Sequence, residues 1–166
     1  MNTARAIRAL CITEDADRPT TATFVGLKQA GVDVTVLEMH HDFERDFRGD
    51  TVHPSTLEVL DQLGLADAAL RIPHSELREI AFATPQGQTT IASFAGIRSR
   101  FPYIALLPQA RFLDFLAAEG AKLPSFHLVL GATVTELVRD GGRVVGVRYA
   151  TADGEHELHT PLVVGA

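Results

Sequence analysis

Residues 47–56, FRGDTVHPST, combine a cation, a glycine and a proline in one short segment. The segment follows the strand-like run 34–38 and precedes the helical run 57–63. A loop between a parallel strand and a helix exposes backbone N–H groups, and the helix dipole favours anions there. Arg48 supplies positive charge, and Gly49 permits close approach of the backbone to a ligand. These residue types predict an anion-binding loop, although mixed charges are also typical of a solvated loop.

Glu38 lies at the carboxyl end of the run 34–38. In dinucleotide-binding βαβ folds a carboxylate at this position accepts hydrogen bonds from a ribose. An acid at a strand end is also a common surface residue. From position alone the two interpretations are equal, and neighbouring motifs must decide between them.

Three stretches together carry a family resemblance: 34–38, 47–56 and Leu106-Leu107-Pro108-Gln109. They resemble the FAD-dependent monooxygenases related to p-hydroxybenzoate hydroxylase, and nearly the whole chain resembles the N-terminal part of such an enzyme. The resemblance implies hydroxylation of a small aromatic substrate, with NAD(P)H reducing FAD and O2 supplying the oxygen atom. In such enzymes the cofactor carries the chemistry, while the protein places the reactants and excludes water.

By this resemblance, four residues contribute to cofactor binding. Glu38 is expected at the ribose, Arg48 along the dinucleotide, and Gln109 in a hydrogen bond to the cofactor. The backbone of Val134 is expected to meet the adenine. Gln109 also suits a plain helix N-terminus, and Val134 also suits a buried strand. No side chain is assigned a catalytic role.

The glycine-rich phosphate loop of the family is altered in this chain. Its GxGxxG pattern would place glycines at Asp15, Asp17 and Thr20. Glycines there make the tight turn and let the pyrophosphate approach the helix N-terminus. A carboxylate about 5 Å from a phosphate charge repels it by about 3 kcal/mol at an effective dielectric of about 20. We expect Asp15 or Asp17 to occupy the anion position and to weaken or abolish FAD binding; the alternative is another loop path that still binds FAD weakly.

Bulk properties exclude several other functions. A net charge of −6 and a pI near 5.6 argue against a nucleic-acid partner. No apolar stretch approaches the roughly 20 residues that span a bilayer. The single cysteine, Cys11, cannot form an internal disulfide, so a cytoplasmic location is expected. The acids and histidines near His40 and His53 match no compact tetrahedral spacing, so no metal site is predicted.

Hydrophobic periodicity predicts the first half of the fold. The runs 6–13 and 32–38 read as buried parallel strands joined by a helix that begins near Thr20 or Thr21 and ends at Gly31. Apolar residues at helical spacing in 57–63 predict another helix, which Gly64 ends. A shorter helix is predicted at 66–70. A hairpin is predicted from the runs 80–83 and 90–94, followed by a strand at 103–107.

The second half is predicted as a helix followed by strands. Gln109 begins the helix, which ends near Leu123. Glycine-containing turns then separate four extended runs and predict an antiparallel meander: 126–130, 133–138, 144–149 and 155–159. Residues 162–164 read as a last buried strand.

The predicted fold is therefore α/β, a Rossmann-like βαβ FAD-binding fold with a three-stranded antiparallel meander. Residues 1–166 are interpreted as a partial FAD-binding domain, and residues 78–107 as a β-arm of an incomplete substrate domain. Because the family pattern continues past Ala166, truncation is expected. An uncovered arm favours self-association or a completing partner chain. The competing hypothesis is a non-catalytic remnant that keeps the fold without the flavin.

Overall fold

The computed structural model describes residues 8–13, 32–44, 50–85, 87–124 and 126–165. They belong to two compact units, Met1–Glu44 with Leu113–Ala166, and Arg45–Phe112. Several predictions lie outside the described residues: the helix between Thr20 and Gly31, the altered glycine positions Asp15, Asp17 and Thr20, and the arginine Arg48.

Within these ranges the strands are β1 (Arg8–Thr13), β2 (Asp33–Glu38), β3 (Thr51–Val52), β4 (Ser75–Leu77), β5 (Glu79–Thr84), β6 (Gly87–Ser93), β7 (Ile104–Leu106), β8 (Phe126–Leu130), β9 (Thr133–Asp140), β10 (Arg143–Thr151), β11 (Gly154–His159) and β12 (Leu162–Gly165). The helices are α1 (Pro54–Gln62), α2 (Ala66–Ala69) and α3 (Gln109–Ala121). Among the described residues, no helix has the length and apolar character required to cross a bilayer.

The first unit contains a parallel sheet in the order β12, β1, β2, β8. Parallel strands are normally covered on both faces, so their sequences are apolar along the whole strand. In β2, Val34 is fully buried beside Phe126, and Leu37 is fully buried beside Ala132 and Val147. The two faces of this strand therefore enter two separate hydrophobic clusters.

The meander consists of β9, β10 and β11. It begins one strand later than the glycine-containing turns of the sequence predict. Residues 126–130, expected within it, pair in parallel with β2 instead. The chain reverses only after Gly131, whose φ of +68° suits a glycine. The three later strands form the predicted antiparallel sheet. At the first hairpin both Gly141 and Gly142 have positive φ, as a tight hairpin turn requires.

The second unit contains the antiparallel sheet β3-β7-β4 and the hairpin β5-β6. Helix α1 starts with Pro54 after His53 and buries Leu57 and Leu60. It ends as predicted at Gly64, whose φ is +72° and whose N–H donates to the Asp61 carbonyl. The sequence did not indicate β3 and β4, because strands of two and three residues show no readable periodicity.

Candidate cofactor-binding site

Glu38 is the last residue of β2, between Thr13 of β1 and Leu130 of β8. Its relative exposure is 0%, which is unusual for a carboxylate. One carboxylate oxygen, Oε1, accepts the His40 N–H at 2.9 Å, and the Glu38 carbonyl accepts the Ala132 N–H at 2.9 Å. The side chain is therefore held at the carboxyl edge of a parallel sheet, where open α/β sheets bind ligands.

The turn between β8 and β9 packs against the residues that follow Glu38. Gly131 donates its N–H to the His40 carbonyl at 2.8 Å. A Cβ atom on Gly131 would lie 2.5 Å from the exposed His41 ring, and the φ of +68° at this position independently favours glycine. No sequence pattern indicates this contact, because His41 and Gly131 are far apart in the chain.

Val134 follows this turn as the second residue of β9 and pairs with Tyr149. It is half-buried, and its side chain packs against the cluster of Leu37, Ala132 and Val147. The side chain thus belongs to the core. A role in ligand binding at this position would fall to the backbone, as the sequence analysis expects.

Asp50 is the first described residue of the motif 47–56, and it contacts the chain near Gln109 twice. Its backbone carbonyl accepts the Leu107 N–H at 2.8 Å. Its carboxylate oxygen Oδ1 accepts the Gln109 N–H at 3.1 Å. Between these two donors lies Pro108, which has no N–H. No spacing rule in the sequence pairs Asp50 with Gln109, because the two residues are 59 positions apart.

Gln109 is the first residue of α3 and is half-buried. It lies in the second unit with Asp50, whereas Glu38 and Val134 lie in the first unit. The structure therefore joins Gln109 to the central motif within one unit.

The remainder of the motif forms the start of α1 and the short strand β3, which pairs with β7. His53 precedes α1 with extended backbone, and its carbonyl accepts the Leu57 N–H at 3.1 Å, so it lies at the entry of the helix. Thr51 and Val52 pair with β7. Within the described ranges, no group of three metal-ligating side chains has the geometry to hold a metal ion.

Ion pairs hold the elements next to this motif. Arg100 bonds Asp61 of α1 and Asp67 of α2, and the hydrogen bond to Asp67 is the main reason that the pKa of Arg100 is raised. Burial raises the pKa of Tyr103, which lies just before β7 with the Arg78 guanidinium 5.1 Å from its ring centre. The two ion pairs are exposed and connect α1 and α2 to the segment before β7 within the second unit. They supply no proton-transfer group to the motif.

Residues 21–166 match the family model described as FAD binding domain. The chain is 29% identical over 140 residues to 6-methylpretetramide 4-monooxygenase of Streptomyces rimosus, which covers 83% of this chain and 33% of the relative. Anhydrotetracycline hydroxylase from Streptomyces rimosus has a TM-score of 0.76 at 27% identity, covering 96% of this chain and 31% of that chain. For p-nitrophenol 4-monooxygenase from Pseudomonas putida the TM-score is 0.78 at 23% identity, covering 96% and 40%, a likeness that shows the fold.

This chain belongs to the FAD-binding domain family, since the model matches most of its length. The resemblance to FAD-dependent monooxygenases is thereby confirmed, and FAD is the cofactor of the family. The chain spans only about a third to two fifths of the length of these three relatives.

Proposed function

We propose that this chain is the FAD-binding part of a flavin-dependent monooxygenase that acts on a small aromatic substrate. The family match over residues 21–166 carries this proposal. Two relatives support the substrate class, because their names describe a monooxygenase acting on 6-methylpretetramide and a hydroxylase acting on anhydrotetracycline. When bound, FAD supplies the redox chemistry, with NAD(P)H as reductant and O2 as oxygen source.

In this proposal the residues of the chain bind and orient the cofactor in a Rossmann-like βαβ fold. Glu38 accepts hydrogen bonds from ribose hydroxyls at the carboxyl edge of the sheet. Arg48 lies along the diphosphate, as its charge suits. The amide of Gln109 hydrogen-bonds the cofactor, and the backbone of Val134 meets the adenine. None of them has to move a proton.

The residues 78–107 are proposed to form an arm of the substrate domain. The hairpin β5-β6 supports this, because it exposes Phe82 at 60% and Ile91 at 57%. Apolar side chains exposed on a two-stranded hairpin favour association with further protein surface. We propose either self-association or a completing chain as the partner of this arm.

A second candidate function is a folded shell that no longer binds FAD. Two observations favour it. Asp15, Asp17 and Thr20 replace the glycines that pack against a pyrophosphate. In addition, Glu38 is 0% exposed, so a ribose reaches its carboxylate only by displacing part of the chain that covers it. Such a shell would act through protein partners.

The deciding experiment is FAD titration of the purified chain and of a variant with Asp15→Gly, Asp17→Gly and Thr20→Gly. The flavin absorbance spectrum and fluorescence quenching report binding. Saturable binding that the three glycines strengthen about 100-fold or more supports the FAD-binding function and the electrostatic account of the loop. If the parent chain and the glycine variant both fold but neither binds FAD, the proposal is contradicted. The second candidate, a folded chain without FAD binding, is then supported.

A further inference from the structure

We propose that Asp50 is a positioning residue that holds Gln109 in place for the cofactor. This inference rests on the proposed function, because it gives Gln109 its role at the flavin dinucleotide. Asp50 is a residue to which no sequence pattern assigns a role in the cofactor site. The negative charge of Asp50 also restricts which part of the cofactor can lie beside the N-terminus of α3.

The geometry around Pro108 carries the inference. Leu107 donates its N–H to the Asp50 carbonyl at 2.8 Å, and Gln109 donates its N–H to the Asp50 carboxylate at 3.1 Å. Pro108 between them has no N–H. One residue therefore accepts both backbone donors of this three-residue segment, immediately beside the pairing of Thr51 with Leu106. Both available N–H groups of the segment are therefore bound to Asp50, the residue that precedes β3.

Asp50 also provides the hydrogen-bond acceptor that the N-terminus of α3 lacks. Phe112 donates its N–H to the Pro108 carbonyl at 3.2 Å, so Pro108 occupies the capping position of α3. A helix leaves its first N–H groups without intrahelical partners, and a Ser, Thr, Asp or Asn cap normally accepts one of them. Proline has no side-chain acceptor. Asp50 supplies the missing acceptor from a distant part of the chain.

The charge of Asp50 also defines the ligand at this helix end. A carboxylate at a helix N-terminus satisfies the positive end of the dipole. A phosphate competing for the same N–H groups meets that negative charge and is disfavoured. The Gln109 end of α3 therefore suits an uncharged, hydrogen-bonding portion of the dinucleotide rather than its diphosphate.

A double-mutant cycle tests whether Asp50 acts through Gln109. FAD affinity is measured for Asp50→Ala, Asp50→Asn, Gln109→Ala and the combination of Asp50→Ala with Gln109→Ala, in the chain that carries glycine at 15, 17 and 20. We expect Asp50→Ala to weaken binding about 3- to 30-fold, the range of a lost helix cap. We expect Asp50→Asn, which keeps an acceptor, to restore most of that affinity. In the Gln109→Ala background, Asp50→Ala should change affinity less than about 2-fold.

Controls separate this role from general stability and from failure of the proposed function. Glu58→Gln removes another exposed acid of the same unit and should leave FAD affinity unchanged. Additive effects of Asp50→Ala and Gln109→Ala in a chain that binds FAD would overturn the inference and leave the proposed function standing. If no form binds FAD, the proposed function is wrong, and the cofactor role of Asp50 with it.

Hydrogen exchange tests the contact itself without any ligand. Asp50→Ala should raise the exchange rate of the Gln109 amide about 10-fold, and Asp50→Asn should raise it less. An unchanged rate in Asp50→Ala means that the carboxylate does not hold this N–H, and the inference fails at its first step.

Discussion

Replacing Glu38 separates its structural contribution from its proposed contact with the ribose. Glu38→Ala removes the acceptor of the His40 N–H at a position with 0% exposure. Leaving the part-buried His40 N–H without its acceptor costs about 1–3 kcal/mol, and the lost burial of one methylene group adds about 0.8 kcal/mol. We therefore expect Glu38→Ala to lower the free energy of unfolding by about 2–4 kcal/mol.

Glu38→Gln is the matched change, because its amide oxygen can still accept the His40 N–H. We expect its unfolding free energy to fall by no more than about 1 kcal/mol. Its FAD affinity should fall more, since hydrogen bonds to a charged group contribute about 1.5–3 kcal/mol, equivalent to roughly a 10- to 100-fold change. Glu155→Ala, an exposed acid of β11, is the control and should stay within about 0.5 kcal/mol of the parent chain.

Urea denaturation followed by circular dichroism measures the stabilities, and FAD titration in the glycine-restored chain measures affinity. Unfolding of Glu38→Ala at the same urea midpoint as the parent would show that the buried carboxylate does not support the fold. Unchanged FAD affinity in Glu38→Gln would remove Glu38 from the ribose site. The two results are independent. The stability result tests only the structural contribution of Glu38, and the affinity result tests only its contact with the ribose.

Three further changes test other parts of the structure. Gly146→Ala would bring a Cβ within 2.3 Å of a backbone oxygen of β11, so urea denaturation should show a loss of about 1–3 kcal/mol; Gly96→Ala, with open space around it, should be neutral. The hydrogen bond from Arg148 lowers the pKa of Glu157, so its stabilisation is present above the ordinary carboxyl pKa and is lost as the pH falls through the lowered value. Arg148→Met should therefore reduce the fall in stability on acidification below about pH 4.5, measured by urea denaturation at several pH values. Phe82→Ser should lower self-association, measured by sedimentation velocity.

Periodicity and turn chemistry predicted most elements because they are local properties. Leu57 and Leu60 recur at helical spacing and are buried on α1, and Gly64 ends the helix with a positive φ. The sequence did not indicate the pairing of β8 with β2, because a mostly apolar run of five residues has the same pattern in a meander and in a parallel sheet.

Sequence patterns nominate the residues of the candidate site, whereas the contacts of those residues are visible only in the tertiary structure. Glu38 was selected by its position after an apolar strand, and the structure adds that its carboxylate is buried and bonded to His40. The bond between Asp50 and Gln109 depends on the pairing of β3 with β7, a tertiary event between two very short strands. Long-range hydrogen bonds of this kind leave no spacing in the sequence.

The carboxylates of this chain differ in their compatibility with a dinucleotide. Glu38 suits a ribose, whose hydroxyls are donors, and Asp50 accepts a peptide N–H; neither has to approach a phosphate. Asp15 and Asp17 stand at the positions where the family pattern requires closest contact with the pyrophosphate. If repulsion by these two carboxylates alone prevents binding, the defect lies in this loop and not in the burial of Glu38. Under that reasoning glycines at 15, 17 and 20 are sufficient to recover binding, whereas a site that had decayed elsewhere would require further changes at Glu38 or Gln109.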